Sequence, residues 1–196
     1  MKASAPPNSS PGPSQLIAYV DGGSRGNPGP AGYGVVIQDA KGKTLETLSR
    51  AIGTTTNNVA EYQALLAALE YATARQSRNL KIYCDSELVV RQMQGRYRVQ
   101  SPDLKPLYQQ ACELANRLDR FVIEHVPREQ NSVADRLANE AMDQADGKPS
   151  VPVLSFSAIV ENGALRPLPP APALEEGAQY EVRLRRQLGN LRRAGP

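Results

Sequence analysis

Three consecutive strand-like runs, followed from Asn57 onward by helical and strand patterns in alternation, constrain this chain more than any other feature. "LIAYVDG" reads as a strand entering a turn. "GYGVVIQDAKGKTLETLSRAIG" holds two short strand-like runs joined by the polar segment Gln38 to Lys43, the pattern of a hairpin. Beyond them, "NNVAEYQALLAALEYATARQ" is rich in Ala, Leu, Glu and Gln, with Val59, Tyr62, Leu66, Leu69 and Thr73 at helical spacing and Asn57 or Asn58 placed to cap it. "LKIYCDS" is a strand, "ELVVRQMQG" a short helix closed by Gly95, and "SPDLKPLYQQACELANRLDR" an amphipathic helix. "FVIEHVP" is a strand, and "NSVADRLANEAMDQA" a helix with Asn131 or Ser132 as its cap. A meander makes antiparallel neighbours and a strand–helix–strand passage makes parallel ones. The order β-β-β-α-β-α-α-β-α therefore predicts an α/β fold, a mixed sheet of five strands flanked by helices.

Composition changes at both ends. Residues 1–14, "MKASAPPNSSPGPS", are rich in Pro and Ser and poor in core-forming residues, so a disordered tail is expected ahead of a main domain over residues 15–146. Residues 147–152 read as a linker. Residues 153–187 read as a small β unit: strand, Asn-Gly turn, strand, proline-rich loop, strand. Residues 188–196 form a basic tail, and Arg183, Arg185, Arg186, Arg192 and Arg193 crowd this end of the chain. They are either a grip on phosphates or a solvated charged edge. A unit this small calls for a partner surface, which makes a homodimer through it the expectation.

The formal net charge of +3 neither requires nor opposes a polyanionic partner. No apolar run is long enough to span a bilayer, residues 1–14 lack a signal-like apolar stretch, and a cytoplasmic location is expected. Cys84 and Cys112 have no metal-ligand spacing and read as buried thiols. His125 is the single histidine, which excludes a multi-histidine centre; a metal held here would be held mainly by oxygen, as magnesium and manganese are.

Four carboxylates could supply that oxygen. Asp21 closes the first strand ahead of "GGSRGNPGPAGYG". Glu61 lies three residues after Asn58, Asp85 ends a buried strand, and Asp135 lies three residues after Ser132. Each has an ordinary reading as a turn or cap residue. If the strands of Asp21 and Asp85 are parallel neighbours, however, both side chains reach the edge of the sheet where open α/β folds bind ligands. The helix starts that bear Glu61 and Asp135 could approach the same edge. Four carboxylates gathered there would repel unless cations neutralised them.

The blocks "DGGSRGNPGPAGYGVVI", "TTTNNVAEYQALLAALE", "CDSELVV" and "VPREQNSVADRLANEA" resemble the type 1 ribonuclease H family in order, spacing and chemistry, over about Leu16 to Ala145. The resemblance implies cleavage of the RNA strand of an RNA·DNA hybrid, giving 5′-phosphate and 3′-hydroxyl ends. It implies two Mg²⁺ (or Mn²⁺) ions about 4 Å apart, with Asp21, Glu61, Asp85 and Asp135 as catalytic metal ligands. It further implies that Asn27, Asn57 and Asn58 contact the minor groove, where 2′-hydroxyls distinguish RNA from DNA, and that Thr56 contacts a phosphate. Gly22 and Gly23 would let the backbone approach the nucleic acid. Double-stranded RNA is the alternative substrate, and a non-catalytic binding module is the alternative role.

Three features depart from the best-known members. His125 lies ten residues before Asp135 but inside the strand pattern, so it reads as a strand residue and not as the family's loop histidine. The sequence is closer to a subgroup without that loop, in which an arginine before the last helix assists; Arg128 matches it. "GRYRVQSPDLKP" is too short and too weakly basic to be the helical handle of some members, and Glu87 stands where many have glutamine. The C-terminal "FSAIVENGALRPL" and "LEEGAQYEVRL" resemble, more weakly, a small β module of antitoxin-like proteins.

Overall fold

The computed structural model describes residues 15–145, 158–161 and 164–167. The terminal tails, the linker and the third strand expected near the C-terminus lie outside them. The chain divides between Ser150 and Val151 into two units, each described by itself.

In the first unit, β1 (Leu16–Ser24), β2 (Gly29–Asp39) and β3 (Thr44–Thr55) form the antiparallel meander. The β2–β3 connection turns because Asp39 Oδ1 accepts the backbone N–H groups of Lys41 at 2.8 Å and Lys43 at 2.9 Å, with Gly42 at φ +81° between them. α1 (Asn57–Ala74) then crosses over to β4 (Asn79–Cys84), which lies parallel to β1 from Leu16–Leu80 to Val20–Cys84. α2 (Glu87–Met93) and α3 (Leu104–Ala115) lead to β5 (Arg120–His125), parallel to β4. A 3-10 turn over Arg128–Gln130 precedes α4 (Ser132–Ala145). The spatial order is β3-β2-β1-β4-β5, the mixed five-stranded sheet that the element order predicts, with β1 at its centre.

Successive strand residues face opposite sides of a sheet, and two adjacent glycines of β1 show what lies on each. A Cβ on Gly22 would overlap the backbone of Ala60 and Glu61 in α1, whereas one on Gly23 would meet Met142 of α4 at 2.8 Å. α1 therefore covers one face and α4 the other. Gly32 and Gly34 of β2 repeat the second contact: a Cβ on either would run into α4 at Ala141 or Ala134.

α1 is enclosed more widely than one apolar stripe implies. It packs on the sheet and also against α3, so Ala60, Ala64, Leu65, Ala67, Ala68 and Ala72 are buried along with Tyr62, Leu66 and Leu69, while Val59 and Thr73 are only half-buried. Burying side chains as large as Tyr62, Leu65 and Leu69 contributes roughly 1.5–3 kcal/mol each. The cap also differs from the expectation. Thr56, with extended backbone, takes that place and its Oγ1 accepts the Val59 N–H at 3.4 Å, so Asn57 and Asn58 are helical residues. α2 does close at Gly95, whose φ of +71° admits the turn and whose N–H reaches Gln92 O at 2.9 Å. α3 is shorter than its sequence pattern.

In the second unit, β6 (Ala158–Glu161) and β7 (Ala164–Pro167) pair antiparallel with Glu161 opposite Ala164, and Arg166 bonds Glu161 at 3.0 Å.

Candidate active site

β1 and β4 are parallel, so their C-terminal ends open on one edge of the sheet. Their ladder ends at Val20–Cys84, and the next residue on each strand is an aspartate, Asp21 and Asp85. The Asp85 carboxyl is close enough to Asp21 to raise the proton affinity of the Asp21 carboxyl. Glu61 reaches the same place from α1, one turn before Leu65, because the face that packs on the sheet carries it inward. Glu61, Asp85 and Cys84 each bring one ligand atom within 4.8 Å of the others. Asp135, in the first turn of α4, lies near enough to act electrostatically on Asp21, and it forms an ion pair with Arg128.

The gathered charge has a consequence for protonation. Burial, then the neighbouring Asp85 and Asp135, push the Asp21 carboxyl up to about 8, with Arg128 pulling the other way. Burial, Asp21 and Asp85 hold Glu61 well above the usual carboxylate range, although a backbone hydrogen bond from Gly22 and the Arg128 charge oppose this. Without a counter-charge the ionised forms of these groups are disfavoured. A divalent cation reverses that balance, and a set of carboxylate oxygens is the donor chemistry that hard divalent cations take. The oxygens of Glu61 and Asp85, with Asp21 and Asp135 nearby, therefore fit such an ion.

Two neighbours of this cluster carry no site signal of their own in the sequence. Cys84 is buried, its thiol 3.9 Å from Glu61 Oε2, and burial with the Glu61 charge pushes it up. The pattern that places it is strand alternation: Cys84 shares a face with Leu80 and Ile82, under α1. Cys112, in contrast, is only half-buried. Asn131 reads as a cap in the sequence, but its side-chain nitrogen donates to Val20 O at 2.9 Å and to Asp85 Oδ1 at 3.1 Å. Its Oδ1 is buried and has no hydrogen-bond partner among the described residues, an arrangement that costs about 1–3 kcal/mol.

The other sequence candidates divide into two groups. Asn27 and Asn57 are exposed and Asn58 half-buried; Asn27 Oδ1 accepts the Asn57 N–H at 3.1 Å, which ties the loop after β1 to the start of α1. Thr56 lies beside them as the cap. Gly22 and Gly23, however, are buried against α1 and α4, so they serve helix packing and present no surface to a nucleic acid. Asp85 is not a helix cap, since Ser86 holds that position before α2. Glu87 pairs with Arg91 at 3.2 Å. His125 is the last residue of β5, with Nε2 3.2 Å from the Asp85 backbone oxygen. A hollow of about 260 Å³ adjoins this edge, lined by Glu87, Arg91, Arg96 and His125 among others. A second, of about 320 Å³, lies by Ser77 and Asp119 at the far end of β4.

Residues 19–141 match the family described as "Reverse transcriptase-like". Over 132 residues the chain is 51% identical to the bifunctional protein Rv2228c of Mycobacterium tuberculosis, covering 67% of this chain and 36% of that protein. The chain thus spans about a third of the length of that relative. It is 45% identical over 131 residues to ribonuclease HI of Halobacterium salinarum, covering 67% of this chain and 66% of the other. The crystal structure of LC11-RNase H1 in complex with RNA/DNA hybrid is similar at a TM-score of 0.63 and 49% identity, over 66% of this chain and 98% of that one. The family match lies within the first unit and ends ahead of the C-terminal β unit. Sheet order, the clustered carboxylates and these likenesses lead to one assignment: the chain belongs to the ribonuclease H family.

Proposed function

We propose that this chain hydrolyses the RNA strand of RNA·DNA hybrids with divalent cations held by Asp21, Glu61, Asp85 and Asp135, leaving 5′-phosphate and 3′-hydroxyl ends. One observation carries the reading. At the edge where β1 and β4 end, Glu61 and Asp85 bring oxygens within 4.8 Å of each other, the buried Asp21 lies next to them on β1, and Asp135 approaches from the first turn of α4. Such a cluster is costly for folding alone and chemically useful with cations.

Two Mg²⁺ or Mn²⁺ ions bound there would supply charge neutralisation and Lewis acidity at phosphorus. The chain supplies the rest. Rigid β1 and β4 fix two of the carboxylates, and α1 holds Glu61 against them. Arg128, on the turn before α4, is 71% exposed and can leave Asp135 to meet a phosphate oxygen. Thr56, Asn57, Asn58 and Asn27 line the start of α1, where amide side chains and helix N–H groups suit the sugar edge and phosphates of the RNA strand. A homologue, LC11-RNase H1, is bound to RNA/DNA hybrid in its structure, which supports this substrate class.

The test is cleavage of a strand-labelled hybrid, in competition with duplex RNA, duplex DNA and single strands, with Mg²⁺ or Mn²⁺. Cutting confined to the RNA strand of the hybrid is expected. Faster cutting of duplex RNA would move the substrate to that class, and binding without turnover at any concentration of either ion would leave only a binding module. The C-terminal β unit is proposed as a dimer contact.

A further inference from the structure

We propose that Asn131 is a positioning residue, which holds Asp85 against the end of β1 so that Asp21 and Asp85 face a common cation space. Asn131 is 1% exposed. Its Nδ2 donates to the Val20 carbonyl oxygen at 2.9 Å and to Asp85 Oδ1 at 3.1 Å, and its own backbone oxygen accepts the Asp135 N–H at 3.0 Å. One buried residue therefore touches the residue before Asp21, the Asp85 carboxylate and the helical turn that carries Asp135.

The position matters because the β1–β4 ladder ends at Val20–Cys84. Past that pair, no ladder bond between β1 and β4 fixes Asp21 relative to Asp85, and Asn131 bridges the gap. Asparagine suits this bridge because one nitrogen carries two N–H groups and can serve two acceptors at once, whereas serine has one donor and an ionised aspartate none. The unpartnered Oδ1 supports the same conclusion. The amide is held by what its nitrogen donates to, since its oxygen has no hydrogen-bond partner among the described residues. Groups that orient metal ligands typically alter metal affinity or activity 10–100-fold when removed.

This inference rests on the reading of Asp21, Asp85 and Asp135 as cation ligands, and the test separates the two. Mn²⁺ binding to the full chain is measured by calorimetry without substrate, alongside kcat and KM on the hybrid and thermal unfolding in EDTA. Wild-type protein that neither binds Mn²⁺ nor cleaves would end the cation reading itself. With wild type active, Asn131→Ala is expected to bind Mn²⁺ about 10-fold or more weakly and to lose about 10–100-fold in kcat, with KM within about twofold. Asn131→Ser leaves a single, shorter donor, which cannot serve the Val20 carbonyl and the Asp85 carboxylate at once. It is expected to recover thermal stability toward wild type without recovering Mn²⁺ affinity. A folded variant of either kind with wild-type affinity and kcat overturns the proposal. If both unfold, the Asn131 side-chain amide resonances of the wild-type protein decide: they are expected to shift in step with Mg²⁺ binding, and resonances that stay fixed overturn it.

Discussion

Gly22 lies so close to Ala60 that no side chain fits between β1 and α1 at that point. The contact sits one residue from Asp21 on the strand and one from Glu61 on the helix, so the close approach of the two backbones sets the distance between the two carboxylates. Gly22→Ala should force the helix away. Overpacking of this kind costs about 1–3 kcal/mol, and here the obstacle is backbone, which cannot rotate aside. We expect a drop of at least several degrees in thermal midpoint together with a loss of cleavage, read by calorimetry and hybrid cleavage. An unchanged midpoint would mean that the backbones separate easily.

Removing a ligand should separate stability from activity. Asp85→Asn takes one charge from a cluster in which Asp85 helps to push up both Asp21 and Glu61. Cleavage should fall by more than about 100-fold, beyond the usual effect of losing an outer neighbour, while the thermal midpoint in EDTA stays the same or rises. A fall in both would argue that the carboxylate supports the fold.

The same cluster predicts how stability depends on pH. Asp21 is raised from an ordinary 3.8 to about 8 in the folded protein. The folded state therefore binds more protons than the unfolded chain between those values. The stability that the protonated group contributes is complete below about pH 4 and is lost as pH rises toward 8, by at most about 1.4 kcal/mol per pH unit for this one group. Without divalent ions, denaturant midpoints should fall over that range. Asp21→Asn should flatten the slope, and saturating Mg²⁺ or Mn²⁺ should restore stability at the alkaline end. A slope unaffected by Asp21→Asn would count against this assignment.

Arg128 makes a contrasting case. Its guanidinium pairs with Asp135, but Arg128 is 71% exposed, and pairs so open to water contribute about 0–1 kcal/mol. Arg128→Ala should leave the thermal midpoint within a few degrees while lowering kcat about 10-fold or more. A large stability loss with normal kcat would make the residue structural.

Truncation after Gly147 removes the β6–β7 unit and leaves the residues of the family match. Cleavage should persist in the shortened chain. If the C-terminal arginines grip phosphate, hybrid affinity should weaken and depend less steeply on salt. If the unit joins two copies, the mass in solution should halve. A truncated protein that matches the full chain in both respects would exclude both roles.

What the sequence by itself determined is the part written in local periods. Strand alternation and helical spacing produced the five strands, the order of the helices and, through the parallel passage from β1 to β4, the common edge of Asp21 and Asp85. Tertiary structure decided the rest, because it depends on partners distant in the chain. The cap of α1 went to Thr56 instead of the asparagines beside it, since the backbone there stays extended one residue longer. Gly22 and Gly23 proved to be packing residues, because α1 and α4 press on opposite faces of β1. Asn131 lies 46 residues from Asp85 and 111 from Val20, and no short-range pattern marks it. Only folding brings an amide donor to the point where the β1–β4 ladder ends.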